Sequence, residues 1–439
     1  MKRILPFLLC LAMLLSFAGC GEKPEENAPA TDTLRVGFGR ADITPVDISV
    51  PLYGYANHTT RLSTEVLDPI YATCIALTDS QDNTVLIFTM DLTTSFGTVT
   101  PQQRKAISDA TGVPFDNICL SATHTHSGPA MVAAYDDNFP QMYDYAKYMK
   151  DQFVQAAVDA MADRAEATVE YGVAYPEGLN FVRHYVMDDG SVIGDNFGDD
   201  EGKTYVTHVH KADNQLQVLR FVRQDKKDIV ITNFQSHPLL CGGAMDTRIT
   251  ADYIAPMRSY VEAQLDCHFA YFSGASGNID PKSRMGMENA ALDYIDHGEQ
   301  LGKQTILALS NATPVSGGKV GALTQTYDLD VKGKTNEQTV QALSAGGIGF
   351  VAPSYEMFDT NGKYIKENSP FEATFVLYLA NSSTGYMAEE AAYAYGGYEV
   401  EYTGYAKGTA EIMANNFLDM LHSLHGTENV PDTTEGGAQ

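Results

Sequence analysis

The sequence predicts an α/β fold, with mixed β-sheets flanked by helices, and three observations carry that expectation. Short apolar, β-branched runs alternate with longer amphipathic segments along most of the chain. The 439 residues are 44% hydrophobic, enough to bury a large core in one domain or in two or three smaller ones. Several of the short runs open into small polar loops that carry ionisable side chains, as strands do at the active-site edge of open α/β sheets.

From the N-terminus, Lys2 and Arg3 precede an apolar stretch, Ile4 to Phe17, that is short for a membrane span. It ends in Ser16-Phe17-Ala18-Gly19-Cys20, which resembles the lipobox of bacterial lipoproteins with Phe17 where Leu is usual. That resemblance implies that residues 1–20 form a lipoprotein signal and that Cys20 is acylated. The mature protein would then be an extracytoplasmic lipoprotein held at a bacterial membrane by its lipid. The competing reading is an ordinary signal peptide with an incidental cysteine. Residues 21–33 are polar and rich in Pro, Ala and Glu, the composition of a flexible tether.

Strands are expected at Tyr71–Leu77, Thr84–Met90, Asn117–Ala122, Asp228–Phe234 and His268–Phe272. A helix is expected at Pro101–Thr111, capped by Thr100 with Gln103 completing a capping box and Gly112 ending it. Longer amphipathic helices are expected at Gln141–Arg164, Ala251–Leu265, Ala291–Leu309 and Ala406–Leu424. Lys319–Ala380 reads as β-rich, either a subdomain or a sheet extension. No internal repeat is visible, and residues 426–439 read as a disordered tail after a domain over 34–425. Beyond Cys10 and Cys20, the chain has Cys74, Cys119, Cys241 and Cys267, in no zinc-ribbon spacing. Cys74 and Cys119 lie in apolar runs and are expected in the core, and no disulfide pairing follows from the sequence.

The chemistry gathers at the ends of the strands. Asn117–Ala122 runs into Thr123-His124-Thr125-His126-Ser127-Gly128-Pro129, and Asp228–Phe234 into Gln235-Ser236-His237-Pro238. In an extended chain His124 and His126 point to one side, so both can ligate a metal, or one can ligate while the other acts on substrate. Taken by themselves they could equally be a hydrogen-bonded structural pair. His237, in a matching context, favours a metal, since neutral imidazoles suit zinc and a catalytic site needs about three protein ligands and an open position. His208 and His210 form a second His-x-His in a charged segment and read as surface or edge-strand residues.

Val36-Gly37-Phe38-Gly39-Arg40-Ala41-Asp42-Ile43-Thr44-Pro45, followed by Tyr53-Gly54-Tyr55, resembles the N-terminal signature of the neutral/alkaline non-lysosomal ceramidase family. Ala122 to Pro129 is similar to that family's zinc motif, and the similarity runs discontinuously from Leu34 to Val400. The resemblance implies a ceramidase-like catalytic domain without the family's C-terminal immunoglobulin-like domain, for which the chain leaves no room. It implies Zn2+ held by His124, His237, Glu356 and Tyr386, with His126 and Arg183 at the reacting group. It also exposes a departure: in Gly277-Asn278-Ile279-Asp280-Pro281-Lys282, Asp280 stands where the family's nucleophilic Ser would be. Without the resemblance, Glu356 would read as a solvated carboxylate, Tyr386 as a packed aromatic and Arg183 as a surface cation.

The resulting expectation is a zinc-dependent hydrolase of an amide or ester bond, with ceramide or another N-acyl compound as a candidate substrate and Asp280 acting on water. The competing class is a non-catalytic surface lipoprotein that binds sugars or peptidoglycan fragments. The formal charge of −27 argues against nucleic acid and anionic lipid headgroups as partners and leaves neutral or cationic substrates open. With no Trp and 25 Tyr, aromatic contacts in any pocket fall to Tyr and Phe.

Overall fold

The computed structural model describes residues 33–47, 49–241, 243–285 and 292–427. The signal, Cys20, nearly all of the tether, and the tail from residue 428 lie outside them. Among the described residues no helix is long and apolar enough to cross a membrane.

The apolar runs pair into a nine-stranded mixed sheet. Its strands lie in the order His268–Ser273, Ile229–Phe234, Leu216–Arg223, Ala165–Ala174, Leu34–Asp42, Tyr71–Thr78, Thr84–Met90 and Ile118–Ala122, and Thr313–Val315 pairs with Ala165–Ala174 off this path. Thr84–Met90 with Ile118–Ala122, and Ile229–Phe234 with His268–Ser273, are parallel; the remaining neighbours are antiparallel. Each parallel pair is joined through a helix, Thr100–Thr111 in one case and Ile254–Leu265 in the other, because parallel strands need a crossover.

The element order therefore runs twice. An antiparallel strand pair, a third strand, a helix, a parallel strand and a long helix occupy residues 34–162, and the same series returns over residues 165–310. No repeat was expected from the sequence, and the duplication is one of topology. Glycines mark it. A Cβ on Gly37 would lie 2.0 Å from Ala160 O, and one on Gly39 2.0 Å from Ala156 O, so the helix Gln141–Ala162 rests directly on the central strand. Gly172 admits the helix Tyr294–Ser310 in the same way, with Ala308 O 2.2 Å from the would-be Cβ.

The β-rich stretch is a second, four-stranded sheet: Val320–Val331, Lys334–Ala345, Ile348–Ala352 and Ala373–Val376. Its apolar side chains, Leu343, Ile348, Phe350 and Phe375 among them, interdigitate with Val36, Ile75, Ile87 and Phe221 of the large sheet. The large sheet's other face packs on the four helices of the duplicated series. The small sheet's outer face is covered by Thr409–His425. The predicted α/β class, mixed sheets flanked by helices, is what forms.

The boundaries shift for local reasons. The first helix spans Thr100–Thr111, with Val99 at the N-cap position and no side-chain cap. Thr100 is not the cap expected from the sequence: its amide already bonds Phe96 O in the preceding turn, and its hydroxyl is buried. Gly112 ends the helix as expected, at φ 74°. The helix expected at Ala291–Leu309 spans Tyr294–Ser310 and is capped by Asp293, which accepts from the amides of Ile295 and Asp296. Cys74, Cys119, Cys241 and Cys267 are all buried and free.

Candidate active site

The large sheet coils until its two edge strands meet, and the meeting point builds the site. Ser273 Oγ donates to Thr123 O at 2.6 Å. Tyr378, beyond the last strand of the small sheet, straps the edges together: its amide donates to Ser273 O and its carbonyl accepts from the Ala122 amide. Four strand-end loops interlock there, with His124 N bonded to Leu92 O, His126 N to Pro238 O and His237 N to Ile279 O.

His124 and His126 do not share a side through strand alternation, as expected from their spacing. The strand stops at Ala122, and His124 sits in the left-handed region at φ 70°, a strain worth ~1 kcal/mol or more that the surrounding bonds must hold. That kink turns the ring inward, and the two Nε2 atoms end 3.3 Å apart. The N-terminal signature sets the other wall. Gly54, at φ 114°, lies so close that a Cβ would be 2.6 Å from His126 Cγ. Arg61 donates to His126 O at 2.7 Å.

The tautomers of two histidines follow from their partners. Nδ1 of His124 lies 2.5 Å from Thr93 O, and Nδ1 of His237 lies 2.9 Å from Ile279 O. A carbonyl only accepts, so both Nδ1 atoms carry the proton and both Nε2 lone pairs are free. Each Nε2 faces Glu356 Oε2 at 3.6 Å. Nε2 of His237 is fully buried without a hydrogen-bond partner. The donor atoms of His124, His126 and His237 all lie within 4.8 Å of one another. Burial pushes all three imidazoles below their usual range, for His126 with help from His124 and His237, so they stay neutral at neutral pH.

Glu356 and Tyr386 arrive together because the short strands Glu356–Met357 and Tyr386–Met387 pair in parallel with these two residues opposite each other. Tyr378 donates its hydroxyl to Glu356 Oε2 at 3.0 Å. Tyr386 accepts from Arg183 Nη2 at 3.2 Å, while burial, then Glu356, push its phenol well up. Buried, unpartnered imidazole nitrogen beside a carboxylate and a phenol is a donor set that fits zinc. Neither the solvated carboxylate nor the lone packed aromatic describes these two residues.

Arg183 is no surface cation: it is 4% exposed. Its guanidinium reaches Glu399 at 2.6 Å, Gly277 O at 2.7 Å and Asp280 at 3.5 Å. Burial opposes its charge, but Glu399, Tyr386, Asp280 and Glu356 together hold it firmly protonated. The short strand Ile279–Asp280 pairs with Phe181–Val182, which sets Asp280 beside Arg183. Burial pushes the Asp280 carboxyl well above the usual carboxylate range; Arg183 opposes this, and a hydrogen bond that the protonated Asp280 donates to the neighbouring Asp195 adds to it.

His124, His126, Glu356, Tyr386, Arg183 and Asp280 all line one cavity of 860 Å³, with His237 buried behind them. All seven sequence-derived site residues are thus brought together. Sequence reasoning missed Glu399, His184, Asp195 and Tyr378. Glu399 is 1% exposed and bridges Arg183 and His184; its sequence neighbours Tyr398 and Val400 carry no signal of that. His208 does lie on an edge strand, Tyr205–His208. His210 pairs with the buried Asp359 at 3.0 Å.

The comparisons agree with this architecture. One solved structure, "Ceramidase complexed with C2", aligns with a TM-score of 0.72 at 16% identity, over 92% of this chain and 78% of that one. The neutral ceramidase of Pseudomonas aeruginosa aligns with a TM-score of 0.71 at 17% identity, over 91% and 77%. At those identities the likeness is one of fold. No curated protein sequence matches the chain. The family model for the N-terminal part of neutral/alkaline non-lysosomal ceramidases matches residues 34–268, more than half of the chain. The protein therefore belongs to the neutral/alkaline non-lysosomal ceramidase family.

Proposed function

We propose that the chain is a zinc-dependent hydrolase of an amide or ester bond. The observation that carries this reading is the pair of backbone-anchored imidazoles, His124 and His237, whose unprotonated Nε2 atoms face the same oxygen of Glu356. His124, His237, Glu356 and Tyr386 would hold the ion, with His126 close enough to join or to act on substrate. When bound there, zinc supplies Lewis acidity towards a carbonyl oxygen and lowers the pKa of a water.

The remaining groups divide the work. Arg183, kept charged and fixed by Glu399, offers positive potential where a carbonyl oxygen becomes an oxyanion, and neutral His126 offers a second polar contact. Asp280 takes the place of an alcohol nucleophile, so the chain has no Ser at this position to carry an acyl group. It is instead a proton carrier: beside Asp195 and Arg183 it can take a proton from the attacking water and return it to the leaving nitrogen or oxygen. Asp280→Asn is expected to retain zinc while turnover falls about a hundredfold or more. Full turnover in that variant would refute the assignment.

We also place the mature chain at a membrane through lipid on Cys20, supported by the Ser16 to Cys20 sequence. Cys20→Ser should then move the protein from the membrane fraction to the soluble one, and unchanged partition would contradict the anchor.

A further inference from the structure

The cavity in front of the histidine cluster is lined for a polar ring. Of its described lining residues, Ala56 and Leu239 are the aliphatic ones, while Tyr53, Tyr55, Tyr386, Tyr398 and Tyr402 are phenols. A sphingoid amide carries two long chains, and each methylene gains its ~0.8 kcal/mol by leaving water for an apolar surface. This wall presents few aliphatic side chains to receive them.

It offers a series of rings instead. Tyr386 meets Tyr398 edge-on, with centroids 5.8 Å apart, and Tyr398 lies against Tyr402 at 4.5 Å and 39°. Tyr402 is 65% exposed, so the series runs from the Arg183–Glu356 floor to open solvent. Tyr55 stands on another part of the wall, edge-on to His126 at 5.1 Å. The weakly positive C–H groups of a pyranose pack on the negative face of such rings. Its hydroxyls need acceptors and donors at the ring's edge, and Asp195, Asn196, Glu401 and Arg284 line the same cavity. Two guanidinium groups, Arg183 and Arg284, face four carboxyl groups, Asp195, Asp280, Glu356 and Glu401, so the site does not select a phosphate or another anion.

We infer that the cavity takes a neutral N-acylated amino sugar, as a monosaccharide or the end unit of a short chain, stacked on Tyr398 and Tyr402 with its amide carbonyl at the Arg183 and His126 end. This inference rests on the hydrolase reading and adds its substrate class. Water adds to the amide carbon and the C–N bond breaks. The carboxylic acid leaves with the water's oxygen, and the amino sugar leaves with its proton.

The test uses the purified mature chain and chitotetraose, a linear tetramer of N-acetylglucosamine, with N-acetylsphingosine in parallel. Because the chain contains no Trp, tyrosine emission reports binding directly. Saturable chitotetraose binding is expected, weakened about tenfold by Tyr402→Ala and Tyr398→Ala. Binding should be retained in Tyr402→Phe, which keeps the ring, and in Asp280→Asn, which blocks turnover. Wild type should release acetate. Absence of saccharide binding, binding indifferent to both Ala variants, or hydrolysis of N-acetylsphingosine in preference to the saccharide would overturn the inference. The last result would leave the hydrolase reading intact, whereas Tyr-dependent binding with no acetate released from either chitotetraose or N-acetylsphingosine by the zinc-loaded protein would count against that reading and keep the sugar site.

Discussion

Glu399 forms an ion pair with buried Arg183, Nε lying 2.6 Å away, and accepts a hydrogen bond from His184 Nε2 at 2.7 Å. Glu399→Gln removes the charge that balances a guanidinium almost wholly withdrawn from solvent. The magnitude follows from the carboxyl's own equilibrium. Burial would raise its pKa, but Arg183 and then His184 hold it down to about 2, against 4.5 for a free glutamate. That difference, 4.5 − 2 or about 2.5 units, corresponds to about 3 kcal/mol, and losing one partner of a buried pair costs ~3–5 kcal/mol. The two figures agree. A depressed carboxyl contributes stability above its unfolded pKa and loses it as the pH falls through the folded value. The wild-type advantage over Glu399→Gln should therefore be about 3 kcal/mol at pH 7 and shrink to about 1.4 kcal/mol at pH 3. Urea unfolding of both proteins, followed by circular dichroism at the two pH values, measures it. A difference below about 0.5 kcal/mol at neutral pH, or one independent of pH, would mean that Glu399 does not balance Arg183.

Gly37→Val should destabilise by about 3 kcal/mol or more, since a Cβ would lie 2.0 Å from Ala160 O, and an unchanged thermal midpoint would contradict the direct seating of that helix. Asp195→Asn removes a neighbour that helps push the Asp280 carboxyl up, so the acid limb of the kcat/KM–pH profile should move to lower pH; a limb that stays or rises would argue against the pairing. Cys74, Cys119, Cys241 and Cys267 are buried, and burial raises each thiol, so alkylation mapped by peptide should find them unmodified in the native state and modified after unfolding.

What the sequence made legible, and what it hid, divides by how local the cause is. Thr84–Met90 is buried at every position, and its apolar and β-branched run predicts both ends. The sheet's centre was harder to read. Leu34–Asp42 carries two glycines because a helix backbone presses on it, which weakens its strand pattern, and Ala165–Ala174 mixes buried and exposed positions. The histidine loops were visible because small residues and Pro follow strands there. Their meeting was not, because it depends on sheet coiling and on Tyr378 strapping two edges that are 150 residues apart at Thr123 and Ser273. Glu356 and Tyr386 were reached through family resemblance, and the parallel pairing that sets them side by side has no local signature. Glu399 and Asp195 act through contacts with Arg183 and Asp280 that no spacing encodes.

The proposed function stands on four distant side chains, His124, His237, Glu356 and Tyr386, holding one metal between them. Metal content of the purified protein after exhaustive dialysis, by mass spectrometry, tests it most directly. About one zinc per chain is expected for the wild type, and less than about a tenth of that for His237→Ala and Glu356→Ala with unchanged circular dichroism. A wild-type protein without metal, or variants that keep the full complement, would contradict it.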